Sequence, residues 1–351
     1  MSQRLRFLIK LANPKASYLA HKDEIDQAIS KVLNSGNYIL GDEVKKFENN
    51  FSKYIGVKHA IGVASGTDAL FLSMKALGIG RGDEVITVSN TSVATVSAIV
   101  MTGATPVLID IEREHFTINP SLIEKAITKR TRVILPVHLY GNPANMREIM
   151  RIARKHNLHV VEDCAQATGA KHNSKRVGSI GTLGCFSFYP TKNLGCFGDG
   201  GMITTNNSKL AKKLRLLRQY GWEKRYISKV HGYNSRLDEI QAAILNVKLE
   251  YLDRDNLKRK YIAMSYGYSP YNPDSVYHLY VVRSRRREKF IRYFESKGMQ
   301  TGIHYPMPIH LQPGYKDLVR VSGSMEVTES MSKQIFSIPM YPELSNTYEY
   351  K

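Results

Sequence analysis

The sequence predicts an α/β fold: a mostly parallel, seven-stranded sheet flanked by helices, followed by a smaller α+β domain. Three observations carry this expectation. Short β-rich runs recur between about residues 60 and 205 with helical patterns between several of them. A long helical stretch follows Asp238. The 351 residues also exceed what one hydrophobic core usually holds. The expected division is a large domain over 1–250, including N-terminal helices, and a small domain over 251–351.

A helix over 22–33 comes first, then the Gly-bounded turn Ser35-Gly36-Asn37-Tyr38-Ile39-Leu40-Gly41. A second helix over 42–54 has Asp42 as its expected cap. The expected strands are 60–64, 84–88, 106–109, 133–137, 159–162, 184–188 and 201–204, with helices at 68–76 and 121–127 among them. The last two strands lie close together in sequence and are expected near one edge. After Asp238 a helix runs to about 264, with Ile240, Ile244, Leu245, Leu249 and Leu252 at helical spacing. A strand over 277–282 and a helix over 286–297 open the small domain, and no internal repeat is visible.

Composition narrows the function. No apolar run of eighteen residues occurs, and residues 1–13 lack the apolar stretch of a secretory signal, so a cytoplasmic protein without membrane contact is expected. Cys164, Cys185 and Cys196 have no metal-ligand spacing and cannot build a disulfide framework. They read as buried thiols in a reducing compartment, and their number argues against an iron–sulfur centre. No metal is expected. The net charge of +19, from 50 Lys and Arg against 31 Asp and Glu, favours anionic partners. Basic residues are spread over 208–218 and 248–260, with one cluster at Arg283-Ser284-Arg285-Arg286-Arg287. Without zinc-finger spacing or a basic zipper, a solvated basic face is a better reading than nucleic-acid binding.

The chemistry lies in an amine and a carboxylate. Lys192 stands in Gly184-Cys185-Phe186-Ser187-Phe188-Tyr189-Pro190-Thr191-Lys192-Asn193, downstream of Val160-Val161-Glu162-Asp163-Cys164-Ala165-Gln166. Pyridoxal phosphate needs such a pair: a lysine that forms an imine with its aldehyde and moves protons, and a strand-end acid that keeps its ring nitrogen protonated. Asp163 falls at the carboxyl end of a parallel strand, where ligands collect, and Gln166 follows three residues later. Ala64-Ser65-Gly66-Thr67-Asp68-Ala69 ends one strand and opens a helix, offering phosphate a close backbone, a hydroxyl and free N–H groups. It is neither a P-loop nor a dinucleotide fingerprint. Ser187 can reach the same phosphate as Thr67. Taken singly, these residues read as a solvated lysine, a strand-end acid and a helix cap.

Together the segments resemble the DegT/DnrJ/EryC1/StrS family, sugar aminotransferases of fold type I among pyridoxal phosphate enzymes. The resemblance also rests on Pro136-Val137-His138-Leu139-Tyr140-Gly141, Gly198-Asp199-Gly200-Gly201, Asn234-Ser235-Arg236-Leu237-Asp238-Glu239 and Ile303-His304-Tyr305-Pro306, spread over nearly the whole chain. It implies Lys192 as the lysine that carries the cofactor, Asp163 as partner of the pyridine nitrogen and Ala165 against one ring face. It implies Gln166 near the ring hydroxyl and Gly66, Thr67 and Ser187 at the phosphate. Asn234 would join them from the neighbouring subunit, making an obligate homodimer with composite sites. Tyr38, Arg236, His304, Tyr305 and His310 are the implied substrate contacts. The implied reaction moves an amino group from L-glutamate to a keto sugar on a nucleoside diphosphate. The Leu217-Arg218-Gln219-Tyr220-Gly221-Trp222 segment resembles a branch making 3-amino sugars, so a dTDP-3-keto-6-deoxyhexose is the leading substrate. A C4 aminotransferase on a UDP-, dTDP- or GDP-4-keto-6-deoxy sugar is the alternative.

Three departures from the family pattern stand out. Ser92, in Asn90-Thr91-Ser92-Val93-Ala94-Thr95, occupies the place of an aromatic that stacks on the cofactor ring, and Ser92 is itself an expected cofactor contact. The connection over 266–276 is short, and the chain ends at Lys351 where relatives continue into a helix. Ser92 and the short small domain favour a non-catalytic, regulatory protein as a reading of another class. A sugar dehydratase of the same fold is opposed by Lys192, since deoxygenating relatives lack that lysine.

Overall fold

The computed structural model describes residues 9–346. The expected small domain therefore extends, over 347–351, outside the described residues, as do residues 1–8 of the N-terminus. Helices α1 (Pro14–Leu19), α2 (Lys22–Ser35) and α3 (Asp42–Ile55) precede the first strand. Asp42 is not the cap of α3. It is the first helical residue, and Gly41 stands at the cap without a side chain to offer. The free N–H groups of Glu43 and Val44 donate instead to the carboxylate of Glu239, at 2.9 and 3.0 Å. A cap supplied from nearly two hundred residues away leaves no local signal.

The main sheet takes β1 (His59–Val63), β2 (Glu84–Val88), β3 (Thr105–Ile109), β4 (Thr131–Ile134) and β5 (His159–Asp163). Helices α4 (Gly66–Leu77), α5 (Val93–Met101), α6 (Pro120–Ala126) and α7 (Met146–Lys155) cross between them. The sequence of α5 is apolar on nearly every face, so spacing alone does not reveal it. A small hairpin, β6 (Lys171–His172) and β7 (Lys175–Arg176), precedes β8 (Leu183–Ser187) and β9 (Gly201–Thr205). Strand β8 lies parallel to β5, whereas β9 runs antiparallel to both β8 and the edge strand β1. The linker between β8 and β9 consequently returns over the carboxyl ends of the parallel strands, carrying Lys192 with it.

Helix α8 (Ser208–Leu217), a short hairpin of β10 (Trp222–Lys224) and β11 (Ile227–Ser228), and the long helix α9 (Glu239–Tyr266) follow. A boundary at residue 250 would cut α9 in mid-helix. Strand β12 (Tyr280–Arg283), helix α10 (Arg287–Ser296), β13 (Arg320–Val321), α11 (Glu326–Ser332) and β14 (Ile335–Ile338) complete the described chain. The expected strand start at 277 is displaced because Tyr277 has φ +44°, a left-handed backbone no strand contains.

Residues 309–332 also depart from the expected division. Ile309 N–H donates to Ser89 O at 3.1 Å, and Asp110 accepts from the N–H groups of Val327 and Thr328, both at 2.8 Å. Strand β13 pairs parallel with β3, adding an eighth strand in the order β1-β9-β8-β5-β4-β2-β3-β13. Two residues are too short to show alternation, which is why the sequence yields seven strands. The small domain proper joins β12 and β14 with α10 around Ile262, Tyr277, Phe294, Phe336 and Ile338. Among the described residues, no helix is long and apolar enough to cross a membrane.

Candidate active site

Strand β5 delivers Asp163 to the rim of the sheet, and the neighbouring residue Glu162 anchors it there. Glu162 is fully buried and accepts from the N–H groups of Gly178, Ile180 and Gly181 at 2.9, 2.9 and 2.7 Å. His138 Nε2 lies 3.1 Å from Glu162, and His138 Nδ1 accepts from Ala144 N–H at 2.9 Å, which fixes the tautomer. His138, Glu162 and Cys164 come within 4.8 Å of one another. His138 and Glu162 are engaged in these bonds and Cys164 Sγ donates to Glu162 O at 3.7 Å, so the group reads as a strut.

Asp163 is 4% exposed. Its Oδ2 accepts from Thr95 Oγ1 at 2.8 Å and its Oδ1 from Ala165 N–H at 3.1 Å. Burial pushes the Asp163 carboxyl up, while these two bonds and the Lys192 charge pull it back. A cation placed against it would find a desolvated, oriented carboxylate. Lys192 responds in the opposite direction: burial lowers its ammonium to about 8, opposed by Asp163. Its loop is held firmly. Lys192 N–H donates to Tyr189 O at 2.8 Å, and Asn193 Nδ2 donates to Asn256 Oδ1 and Val276 O at 2.8 and 2.9 Å. His278 Nδ1 lies 3.1 Å from Asn193 Oδ1, so α9 and the small domain both grip the residue beside Lys192.

The phosphate end is built by close approach. A Cβ on Gly66 would stand 2.6 Å from that of Ser187, so only glycine lets the start of α4 touch the end of β8. Ser65 caps α4 by accepting from Asp68 N–H at 3.1 Å, which leaves the first N–H groups to face the pocket. Asp68 is the first-turn acid that would repel an anion. It is engaged elsewhere, accepting from Ser235 Oγ at 2.6 Å.

One pocket of about 270 Å³ collects Gly66, Thr67, Ser92, Asp163, Ala165, Gln166, Ser187 and Lys192. Its donor set fits pyridoxal phosphate: an amine and a carboxylate at one end, and a helix start with two hydroxyls at the other. The other expected residues lie outside its lining. Tyr38 and Asn234 are exposed, and Arg236 borders a separate surface hollow with Trp222 and Tyr226. His310 is a brace, with Nδ1 2.7 Å from Ser89 Oγ and Nε2 3.1 Å from Glu329. His304 Nδ1 lies 3.0 Å from Ser337 Oγ, and its carbonyl accepts from the Tyr140 hydroxyl. Tyr305 stands behind the pocket wall: its hydroxyl accepts from Gln166 Nε2 at 3.1 Å. Gln166 Oε1 accepts from Tyr140 N–H at 2.7 Å.

Sequence reasoning missed Thr95, Tyr189 and Asp199, all of which line the pocket. Thr95 had a readable signal. It stands one helical turn from Thr91, and the two hydroxyls lie 2.8 Å apart behind Asp163.

Comparison with known proteins agrees with this geometry. The DegT/DnrJ/EryC1/StrS aminotransferase family matches residues 20–349. The chain is 46% identical over 342 residues to the dTDP-3-amino-3,4,6-trideoxy-alpha-D-glucose transaminase of Streptomyces venezuelae, covering 94% of this chain and 90% of that one. It is 48% identical to the dTDP-3-amino-3,6-dideoxy-alpha-D-galactopyranose transaminase of Aneurinibacillus thermoaerophilus, covering 93% of each. The crystal structure of S. venezuelae DesV with a ketimine intermediate superposes with a TM-score of 0.92 at 45% identity, covering 96% of this chain and 94% of that one.

Proposed function

Because the chain belongs to the DegT/DnrJ/EryC1/StrS aminotransferase family, we propose that it moves the amino group of L-glutamate to C3 of a dTDP-linked 3-keto-6-deoxyhexose. It is a pyridoxal-phosphate-dependent sugar aminotransferase. The observation that carries the reading is the pairing of Lys192, held at about 8, with a buried and doubly hydrogen-bonded Asp163 in one pocket.

Asp163 would hold the cofactor's ring nitrogen, Ala165 would lie against the ring, and Gly66, Thr67 and Ser187 would hold the phosphate. When bound, the cofactor supplies an aldehyde for amine exchange and a ring that takes up negative charge. Lys192 Nζ takes the proton from the α-carbon of glutamate and, in the second half-reaction, gives one up at the sugar side. An amine whose ammonium sits at about 8 does both near neutral pH, because neither form is strongly disfavoured there. One water is consumed as glutamate leaves as 2-oxoglutarate, and one water is released as the amine replaces the sugar's keto oxygen.

The working unit of this proposal is a cytoplasmic homodimer. Three free buried thiols suit a reducing compartment. Asn234 supports a composite site, since it is exposed on the single chain while Ser235, next to it, is tied to Asp68 at the start of α4.

The test is a panel of dTDP-3-keto, dTDP-4-keto and UDP-4-keto sugars with glutamate, the products read by NMR. An amine at C3 is the expected result, and an amine at C4 overturns the regiochemistry. Failure of glutamate to give 2-oxoglutarate with purified holoprotein would replace the enzyme by a non-catalytic cofactor binder.

A further inference from the structure

A second cavity, of about 590 Å³, lies between the small domain and the loops after β3 and β4, in the notch beside the short connection from α9 to β12. It shares no lining residue with the Lys192 pocket. The backbone passes between them, with Leu139 lining one and Tyr140 the other.

Its wall is a ladder of phenol rings. Tyr271 and Tyr277 stack at 6.1 Å with 16° between planes, and Tyr277 and Tyr280 at 6.4 Å with 24°. The ladder is rigid because the loop hangs from its hydroxyls. Tyr277 Oη accepts from Asn272 N–H at 2.6 Å, and Tyr280 Oη from Tyr268 and Ser269 N–H at 2.8 and 2.9 Å. Tyr271 is 47% exposed, so the outer end of the ladder presents an open face.

Cations stand at the edge. Arg113 and Arg283 line the cavity and are exposed; Glu114 is the acid among the lining residues. Arg283 uses Nε for Gln334, at 3.2 Å, and keeps its two Nη groups for another acceptor. It also begins the run Arg283-Ser284-Arg285-Arg286-Arg287, in which Arg285 and Arg286 are exposed. The amino-transfer chemistry gives this run no task.

We propose that this cavity is a second, non-catalytic site for a nucleoside phosphate, its base stacked on Tyr271 and its phosphates held by Arg113 and Arg283. Stacking on rigid rings is available to any planar base, and the guanidinium fork matches phosphate oxygens. The volume is that of an ordinary small-molecule site. Tyr140 lies between the two cavities: its N–H donates to Gln166 at 2.7 Å and its hydroxyl to the His304 carbonyl.

The test is binding to the holoenzyme, independent of turnover. Calorimetric titration with dTDP is expected to show one fewer nucleotide bound per chain in Arg283→Glu and in Tyr271→Ala than in the wild type. Each change weakens that class about tenfold or more, the scale of a lost base stack or phosphate contact. Cofactor absorbance and melting temperature report the folding of both variants; should Tyr271→Ala fold poorly, the surface change Arg283→Glu carries the test. Photolabelling with 5-azido-dUDP is expected to mark a peptide within residues 268–283. Unchanged stoichiometry in a folded Arg283→Glu variant, or label confined to peptides of the Lys192 pocket, overturns the proposal. Inorganic pyrophosphate filling the class as tightly as dTDP overturns it as well, since the tyrosine ladder would then contribute nothing.

Discussion

Thr95, in the first turn of α5, donates its hydroxyl proton directly to Oδ2 of Asp163 at 2.8 Å, so the start of that helix orients the carboxylate. A hydrogen bond to a charged, buried acceptor contributes about 1.5–3 kcal/mol. Thr95→Val is therefore expected to slow the glutamate half-reaction by about 10- to 150-fold, with Thr95→Ser close to the wild type. Stopped-flow absorbance of cofactor-saturated protein measures it. Equal rates in Thr95→Val and wild type would remove Thr95 from the mechanism.

Lys192 sets a pH dependence whose sign follows from its shift. Its ammonium is lowered to about 8 in the folded chain from an ordinary 10.5, so between pH 8 and 10.5 the unfolded chain holds a proton the folded one lacks. Stability therefore rises with pH across that window relative to Lys192→Ala, and below pH 8 the penalty for burying the ammonium is complete. Uptake of pyridoxal phosphate by the cofactor-free protein needs the neutral amine. Its rate is expected to rise with pH, with a midpoint at about 8, and Lys192→Ala should bind the cofactor without covalent attachment. Rapid-mixing absorbance from pH 6.5 to 9.5 checks this; a midpoint near 10 would contradict it.

Gly66 and Ser187 test the phosphate cradle as a pair. An added methyl at Gly66 would stand 2.6 Å from Ser187 Cβ, and overpacking of this kind costs about 1–3 kcal/mol. Gly66→Ala is expected to weaken cofactor binding at least about fivefold, by the lower figure. Gly66→Ala with Ser187→Gly should regain folding stability while staying weak for the cofactor, because the Ser187 hydroxyl is gone. Dialysis equilibrium and thermal melts separate the two effects.

Ser92 lines the pocket at the position where the family resemblance implies an aromatic over the cofactor ring. Ser92→Phe is expected to slow cofactor release by about 2- to 10-fold, the range of an added aromatic contact of about 0.5–1.5 kcal/mol. The release rate into a scavenging protein measures it. Faster release would show instead that a ring at this position disturbs the pocket more than stacking helps.

Asn234 decides whether the site is shared. Mixed dimers of inactive Lys192→Ala and inactive Asn234→Ala subunits contain one doubly damaged site and one intact site if Asn234 serves the partner, so activity should return on subunit exchange. With heterodimers verified by mass, no recovery would place Asn234 in its own subunit's site or in none.

Of the parallel strands, β2, β3, β5 and β8 were legible because each is a short, mostly buried run, and β2 is read to the residue at 84–88. Lys192, Asp163, Gly66 and Ser187, which the fold brings to one pocket, were legible because they stand in distinctive local runs. The cap of α3 by Glu239, the strand β13 beside β3 and the brace at His310 depend on residues distant in sequence, which leave no local pattern. The same physics separates Lys192 from its pKa: the sequence places an amine on a loop, but only burial against β5 and α9 lowers it to about 8. Desolvation belongs to the packed chain, so the sequence determined which groups take part, and the tertiary structure decided what each of them can do.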